Sequence, residues 1–167
     1  MKHNLEQNPG CLGINRVGGL RKLENQRFVI TLGRANTKNR AGVFIERLSE
    51  DVIDIYNRRP SSNRLVCFRP TGKDSIVGEA ISTTMVNTLS MVCGSVGSLR
   101  ATETPGGIQV ISAVIKIDGP KGDILKSLIE DDIENTLVFG HRFVCDRTSK
   151  GFTVTNIVGY DLLGNAL

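Results

Sequence analysis

Residues 115–142, which read IKIDGPKGDILKSLIEDDIENTLVFGHR, constrain the fold of this chain more than any other segment. An apolar β-rich run predicts a strand that ends at the turn sequence Asp118-Gly119-Pro120. A helix over about residues 120–132 is predicted next, because its apolar residues recur at helical spacing: Ile124, Leu125, Leu128 and Ile129. A second strand follows. The unit therefore predicts a short loop at residues 139–142, where a strand–helix–strand unit could hold chemistry.

The rest of the chain predicts one more helix and a series of short strands. A first amphipathic helix is expected over about residues 43–58, from the spacing of its apolar residues: Ile45, Leu48, Val52 and Ile55. Between the helices, β-rich runs are separated by Gly, Pro or Asn. The glycine-spaced run at residues 93–98 lacks the following Lys-Ser/Thr of a phosphate loop, which favours a turn between strands. We expect an α+β fold, a mostly antiparallel small β-barrel or sandwich with two amphipathic helices.

The first part of the chain is polar, rich in glycine and basic. The apolar residues of 1–26 do not recur at the spacing of a helix or a strand, which predicts an extended arm that orders against a partner. A single domain is predicted at 27–167. Residues 1–40 carry eight Lys or Arg against two Glu, a net charge of +6. Such an arm can bind a polyanion by releasing counterions, and a solvated tail is the equally weighted alternative. The candidate residues for contact with a partner or nucleic acid are Arg16, Arg21, Lys22 and Arg27.

Composition limits the remaining classes of function. The four cysteines, Cys11, Cys67, Cys93 and Cys145, form no CxxC pair, which favours reduced thiols over disulfides or a zinc site. No cofactor and no metal are predicted. No apolar run approaches the ~20 residues that span a bilayer, and a secretion signal is not recognised. We therefore expect a protein that is neither secreted nor bound to a membrane.

Several motifs, taken in order, resemble those of the phage prohead (head maturation) proteases. The matching pieces are the turn IDGPKG at 117–122, the helix ILKSLIE at 124–130, the strand IVGYDLL at 157–163 and the loop NTKNR at 36–40. The similarity extends over about residues 28–163. It implies a fold similar to that of the herpesvirus assembly proteases and, in the family, a serine protease activity.

The match fails at the catalytic positions that the resemblance assigns. The family's histidine falls on Arg69, whose guanidinium stays protonated and cannot act as a base. The loop with the nucleophile aligns onto Gly140, His141 and Arg142, and neither Gly140 nor His141 supplies a hydroxyl. These four positions therefore mark a vestigial site, and no catalytic residue is predicted. His141 could still act as the base for a cysteine nucleophile, either Cys67, Cys93 or Cys145. Cys145, however, would lie about 13 Å from His141 along one strand.

Three hypotheses about function follow. The first is a non-enzymatic phage virion or capsid-assembly protein, structural or decorating, that uses a degenerate protease-like fold as a scaffold. Its partners would be capsid subunits or other virion proteins, and it would be located in the virion and the host cytoplasm. A homo-oligomer is also possible. The second is an active maturation protease with a relocated nucleophile. The third is a protein that makes weak, non-specific nucleic-acid contacts through the basic arm.

Overall fold

The computed structural model describes residues 21–22, 26–39, 42–70, 75–77, 89–130 and 137–165. These residues form ten strands and two α-helices, which confirms the α+β class with a mostly antiparallel, barrel-like sheet. The strands are β1 (Arg21–Lys22), β2 (Arg27–Ala35), β3 (Thr37–Lys38), β4 (Phe44–Ile45), β5 (Leu65–Phe68), β6 (Ser75–Val77), β7 (Val92–Glu103), β8 (Gln109–Ile117), β9 (Leu137–Arg147) and β10 (Phe152–Asn165). The helices are α1 (Glu50–Asn57) and α2 (Gly122–Glu130), and 3₁₀ turns lie at Ser61–Asn63 and Leu89–Met91.

The ten strands belong to one sheet that curls into a half-barrel. Its main path runs β1-β2-β8-β7-β5-β10-β4-β3, and β9 pairs with both β10 and β6. The strands β2, β8 and β7 pair antiparallel, whereas β5 and β10 run parallel. Because the sheet curls, β2 packs across the interior onto β9. This closure brings the middle of β9 against β2, a strand from the opposite side of the sheet.

The core lies inside this curl and is closed by the two helices. Along β8 the residues Ile111, Ala113 and Ile115 are buried, as the two-residue repeat of a strand with one interior face requires. The buried Leu125 of α2 packs beside Gly94 of β7, where a Cβ would lie 3.3 Å from Leu125 Cδ2. Burying each large apolar side chain contributes roughly 1.5–3 kcal/mol. The predicted apolar stripe of the second helix is thus the surface that closes the core.

The first helix is shorter than its predicted span of residues 43–58. It begins at Glu50, because the Ser49 hydroxyl caps it by accepting the backbone N–H of Val52 at 3.2 Å. Residues Phe44–Ile45 form β4 instead. Leu48 is buried in extended chain, where Gln109 accepts its N–H at 2.8 Å and donates to its carbonyl at 3.0 Å. A side-chain amide from β8 therefore replaces the helical hydrogen bonds that the spacing predicted.

Two predicted loops are strands. Residues 139–142 lie within β9, whose register with β10 extends over the whole length of β9. Residues 93–98, predicted to be a turn between strands, lie within β7. An irregularity between Val96 and Leu99 interrupts the pairing of β7 with β8 at this place. The bulge accounts for Gly97, where a Cβ would lie 3.3 Å from the carbonyl oxygen of Val114.

The remaining boundaries agree only in part with the sequence predictions. Helix α2 spans Gly122–Glu130, and the predicted end near residue 132 lies outside the described residues. Most of the predicted arm also lies outside them, but Arg21–Lys22 already form β1 on the edge of the sheet. In the described part of the chain, neither helix has the length or the apolar character needed to span a bilayer.

Candidate functional site: a buried arginine–aspartate centre

Asp161 on β10 is the centre of the site. Its carboxylate is almost completely buried, and Oδ2 lies 3.2 Å from Nε of Arg142, which is equally buried. The pairing of β9 with β10 explains this contact, because Gly140 and Arg142 are in register with Asp161 and Gly159. A Cβ at Gly159 would lie 2.8 Å from the Arg142 guanidinium. The glycine therefore provides the space that the arginine side chain occupies.

Arg69 approaches the same carboxylate from the end of β5. Its Nη1 lies 3.8 Å from Oδ2 of Asp161, and its side chain is about half exposed at 49%. The backbone N–H of Arg69 donates to the carbonyl of Leu162 at 2.8 Å, which fixes the chain after β5 beside β10. Asp161 therefore interacts with one buried and one half-exposed cation.

The electrostatics of Asp161 are dominated by burial. Loss of hydration raises the pKa of this carboxyl, and the positive charges of Arg142 and then Arg69 oppose that rise without cancelling it. The pKa of Asp161 therefore lies above its ordinary value. Two neighbouring guanidiniums hold a charge that the interior itself disfavours, so the centre is an ion-pair cluster whose members depend on one another.

His141 is buried on the other face of β9. Neighbouring residues of a strand point to opposite faces, so the ring of His141 points away from Arg142 and into the half-barrel. It stacks on Phe143 with ring centres 4.7 Å apart and meets Tyr160 edge-on at 5.1 Å. Gly33 of β2 packs against the imidazole from the opposite side of the barrel. The ring is enclosed by aromatic side chains and backbone.

The structure thus divides between two places the four positions that the resemblance singled out. Arg69 and Arg142 meet at Asp161, whereas His141 lies in the core on the opposite face of β9. Gly140 is buried in register with Asp161 and carries no side chain to react. The sequence motif contained Asp161 but did not identify it as the centre. Its signal was a lone acidic residue between apolar strand residues, which indicates a buried charge with a partner.

Arg34 is a further buried cation that the sequence analysis missed. It lies in β2 and is 2% exposed. Each of the three core cysteines is also buried: Cys67, Cys93 and Cys145. Within the described residues, no group of three His, Cys, Asp or Glu side chains is placed to hold a metal ion.

Three of the four basic candidates lie in the first two strands of the sheet. Arg16 lies outside the described residues, and Arg21 and Lys22 form β1. Arg27 begins β2, is exposed and lies opposite Lys116 of β8. Only Arg27 of these four therefore has a described side chain.

Burial should make two thiols unreactive. It raises the pKa of Cys93 to about 12 and that of Cys145 to about 12. Relative to the ordinary value, that reduces the thiolate fraction near neutral pH by roughly a thousandfold. With iodoacetamide at pH 8 we expect neither residue to be alkylated in the folded protein, and both to be alkylated in denaturant. Peptide mass spectrometry gives the extent of labelling.

An exposed thiol provides the control for that measurement. Ser127 lies on the exposed face of α2, so S127C should react in the folded protein at the rate of a free cysteine. If Cys93 or Cys145 reacted at a rate close to that of S127C, a thiolate would be accessible in the fold and the unreactive assignment would be wrong.

Comparisons with protein-family models, with curated proteins and with solved structures find no match for this chain.

Proposed function

We propose that the chain is a non-enzymatic phage virion or capsid-assembly protein that uses a degenerate prohead-protease-like fold as a binding scaffold. The observation that carries the proposal is the placement of Arg69 and Arg142 on the buried carboxylate of Asp161. At the positions that the resemblance assigns to a base and a nucleophile loop, the side chains form a structural ion-pair cluster. Neither guanidinium can accept a proton from a hydroxyl.

The surroundings of His141 support the same proposal. A general base must be within hydrogen-bond reach of the proton that it removes from a substrate-bound or nucleophilic group. The imidazole of His141 is 2% exposed and is enclosed by Phe143, Tyr160 and Gly33. A polypeptide substrate has no access to a ring in this position without opening the barrel. The buried thiols Cys93 and Cys145 are likewise poor nucleophiles, because burial keeps them protonated.

The test is whether the protein stays with particles. We expect it to co-sediment with phage particles from its source through a density gradient, and to dissociate in denaturant but not in high salt alone. Mass spectrometry of the particle band would detect its peptides. Recovery only in the particle-free fraction would contradict a virion role.

An activity measurement separates the scaffold from a relocated protease. The purified protein should leave capsid and scaffold proteins uncleaved and should not react with a fluorophosphonate probe, and its Cys93 and Cys145 should not react with an iodoacetamide probe. Cleavage that disappears in H141A or in a Cys-to-Ala variant would overturn the non-enzymatic role. The S127C variant is the matched control for probe access, because its thiol is on the surface.

A further inference from the structure

A groove of about 430 Å³ lies on the outer face of β2, β8 and β7. Six of its lining residues matter for its chemistry, namely Arg27, Ser61, Ser95, Ser98, Lys116 and Asp118. Its volume falls in the range of ligand-binding clefts. The groove is separate from the buried Asp161 centre, which lies on β5, β9 and β10.

The cations and a hydroxyl form one row across three strands. Arg27 lies opposite Lys116 on β8, and Lys116 lies opposite Ser95 on β7. Residues in such a row point to the same face of a sheet. The neighbouring Ile115 and Val96 are fully buried, so the row itself points outward, away from the core. Two positive charges directly opposite each other are destabilising unless an anion lies between them.

The charge balance of the groove favours an anion. Neither Arg27 nor Lys116 makes a side-chain hydrogen bond or ion pair with any residue that the structure describes. Asp118 is the acidic residue of the lining, and its Oδ1 accepts the backbone N–H of Gly119 at 2.8 Å. At the rim, the guanidinium of Arg64 donates to the carbonyl of Gly97 and adds positive charge. The groove is therefore net positive and contains serine hydroxyl groups.

The bulge in β7 shapes the groove. Pairing with β8 is interrupted between Val96 and Leu99, and Gly97 and Ser98 occupy the interruption. A Cβ at Gly97 would lie 3.3 Å from the carbonyl oxygen of Val114, so a side chain there would crowd β8. Bulges of this kind often occur beside functional sites, where they redirect side chains. Here the bulge places Ser98 in the wall of the groove.

We propose that this groove binds the sugar-phosphate backbone of a nucleic acid. Arginine, lysine and serine side chains are among the groups that contact phosphates in protein–nucleic acid complexes. None of the described lining residues is aromatic, so the groove offers bases no ring to stack on, and we expect its contacts to go to the backbone. The neighbour of β2 on the edge of the sheet is β1, which belongs to the basic first part of the chain. In this pairing Arg21 of β1 lies opposite Val29 of β2. A basic segment beside a basic groove extends the positive surface available to a polyanion.

The experiment compares two double variants that remove the same charge. In R27Q/K116Q both groove cations are neutralised. In R58Q/K126Q two exposed cations outside the groove are neutralised, at the end of α1 and on α2, which packs on the core side of the sheet. Binding of a fluorescein-labelled, mixed-sequence single-stranded DNA is followed by anisotropy over a range of salt concentrations. Circular dichroism melts confirm that both variants are folded.

We expect R27Q/K116Q to bind about tenfold more weakly than the wild type at about 50 mM salt. Its plot of log affinity against log salt should be less steep by about 1.4, from roughly 0.7 per lost phosphate contact with a single strand. In the control variant, the slope of log affinity against log salt should change by less than half as much. Equal losses of DNA affinity in both variants, or no DNA binding by the wild type, would overturn the proposal that the groove binds nucleic acid.

A competition measurement distinguishes a nucleic acid from a small phosphate ligand. Excess inorganic pyrophosphate at constant ionic strength should displace little of the DNA, because a backbone makes several contacts at once. Complete displacement at micromolar pyrophosphate would overturn the nucleic-acid assignment. The inference goes beyond the scaffold role and is independent of it, since particle association is measured without any reference to DNA binding.

Discussion

Replacing Arg142 with methionine should destabilise the protein by about 3–5 kcal/mol at neutral pH, because it leaves the buried carboxylate of Asp161 without its nearest cation. Arg142 is 1% exposed and its Nε lies 3.2 Å from Asp161 Oδ2, whereas Arg69 is farther away and half exposed. The remaining arginine therefore cannot compensate for the loss. Urea unfolding followed by circular dichroism measures the change in free energy of unfolding.

The cost of R142M should depend on pH in a defined direction. The pKa of Asp161 is already raised by burial, and removing the cation that most opposes this rise moves the pKa higher. A carboxyl with a raised pKa in the folded state contributes stability below its unfolded pKa, and that contribution is lost as pH rises through the folded pKa. R142M should therefore lose least stability at the acid end of the pH range and lose progressively more as pH rises.

A surface arginine is the matched control for this prediction. Arg47 and Glu103 form an ion pair in which both side chains are 45% exposed. Exposed pairs contribute little, so R47M should cost at most about 1 kcal/mol, with little dependence on pH. If R142M cost no more than R47M, the Asp161 centre would not be a structural ion-pair cluster.

The double variant R142M/D161L tests whether the two residues act together. Removing both charges leaves no unpaired ion in the core, and well-packed apolar replacements of buried pairs are often neutral or stabilising. We expect the double variant to recover most of the stability that R142M loses. A cost equal to the sum of the two single variants would mean that the residues stabilise the fold independently.

Local patterns predicted those elements whose burial has a regular period. The β8 strand and α2 follow from the alternation of Ile111, Ala113 and Ile115 and from the stripe that includes Leu125. The start of α1 was wrong because Ile45 and Leu48 also fit buried positions in an extended chain. Besides the Ser49 cap, the distant Gln109 distinguishes the two conformations, because it binds the backbone of Leu48. That contact joins residues far apart in sequence, and periodicity carries no information about it.

The candidate site shows the same division between local and distant information. Arg69, His141 and Arg142 were identified from their order along the chain, but their arrangement depends on strand pairing. Register with β10 places Arg142 beside Asp161, and parallel pairing with β5 brings Arg69 to the same carboxylate. Because β9 is continuous, its side chains alternate between the two faces of the sheet, and this alternation separates His141 from the two arginines. Predicting a loop at residues 139–142 concealed that separation.

A single methyl group at Gly33 should reveal how tightly His141 is enclosed. A Cβ at this position would overlap the imidazole ring of His141 across the barrel, and both residues are buried. Core side chains are packed at crystal-like density, so neither β2 nor β9 can retreat without displacing its neighbours. Overpacking of this kind typically costs about 1–3 kcal/mol, and here we expect the upper end or more for G33A. Thermal unfolding by calorimetry measures it.

Two further variants make the prediction specific to the contact. Gly106 lies in the turn before β8, where Thr104 Oγ1 at 3.8 Å is the one described atom that a Cβ would meet, so G106A should change stability by less than about 0.5 kcal/mol. In G33A/H141A the ring that opposes the new methyl group is absent. The double variant should therefore be more stable than the sum of the single changes predicts, because the methyl group fills part of the space that the imidazole leaves. Strict additivity, or a G33A protein as stable as G106A, would mean that the barrel is open at His141 and that its imidazole is accessible as a base.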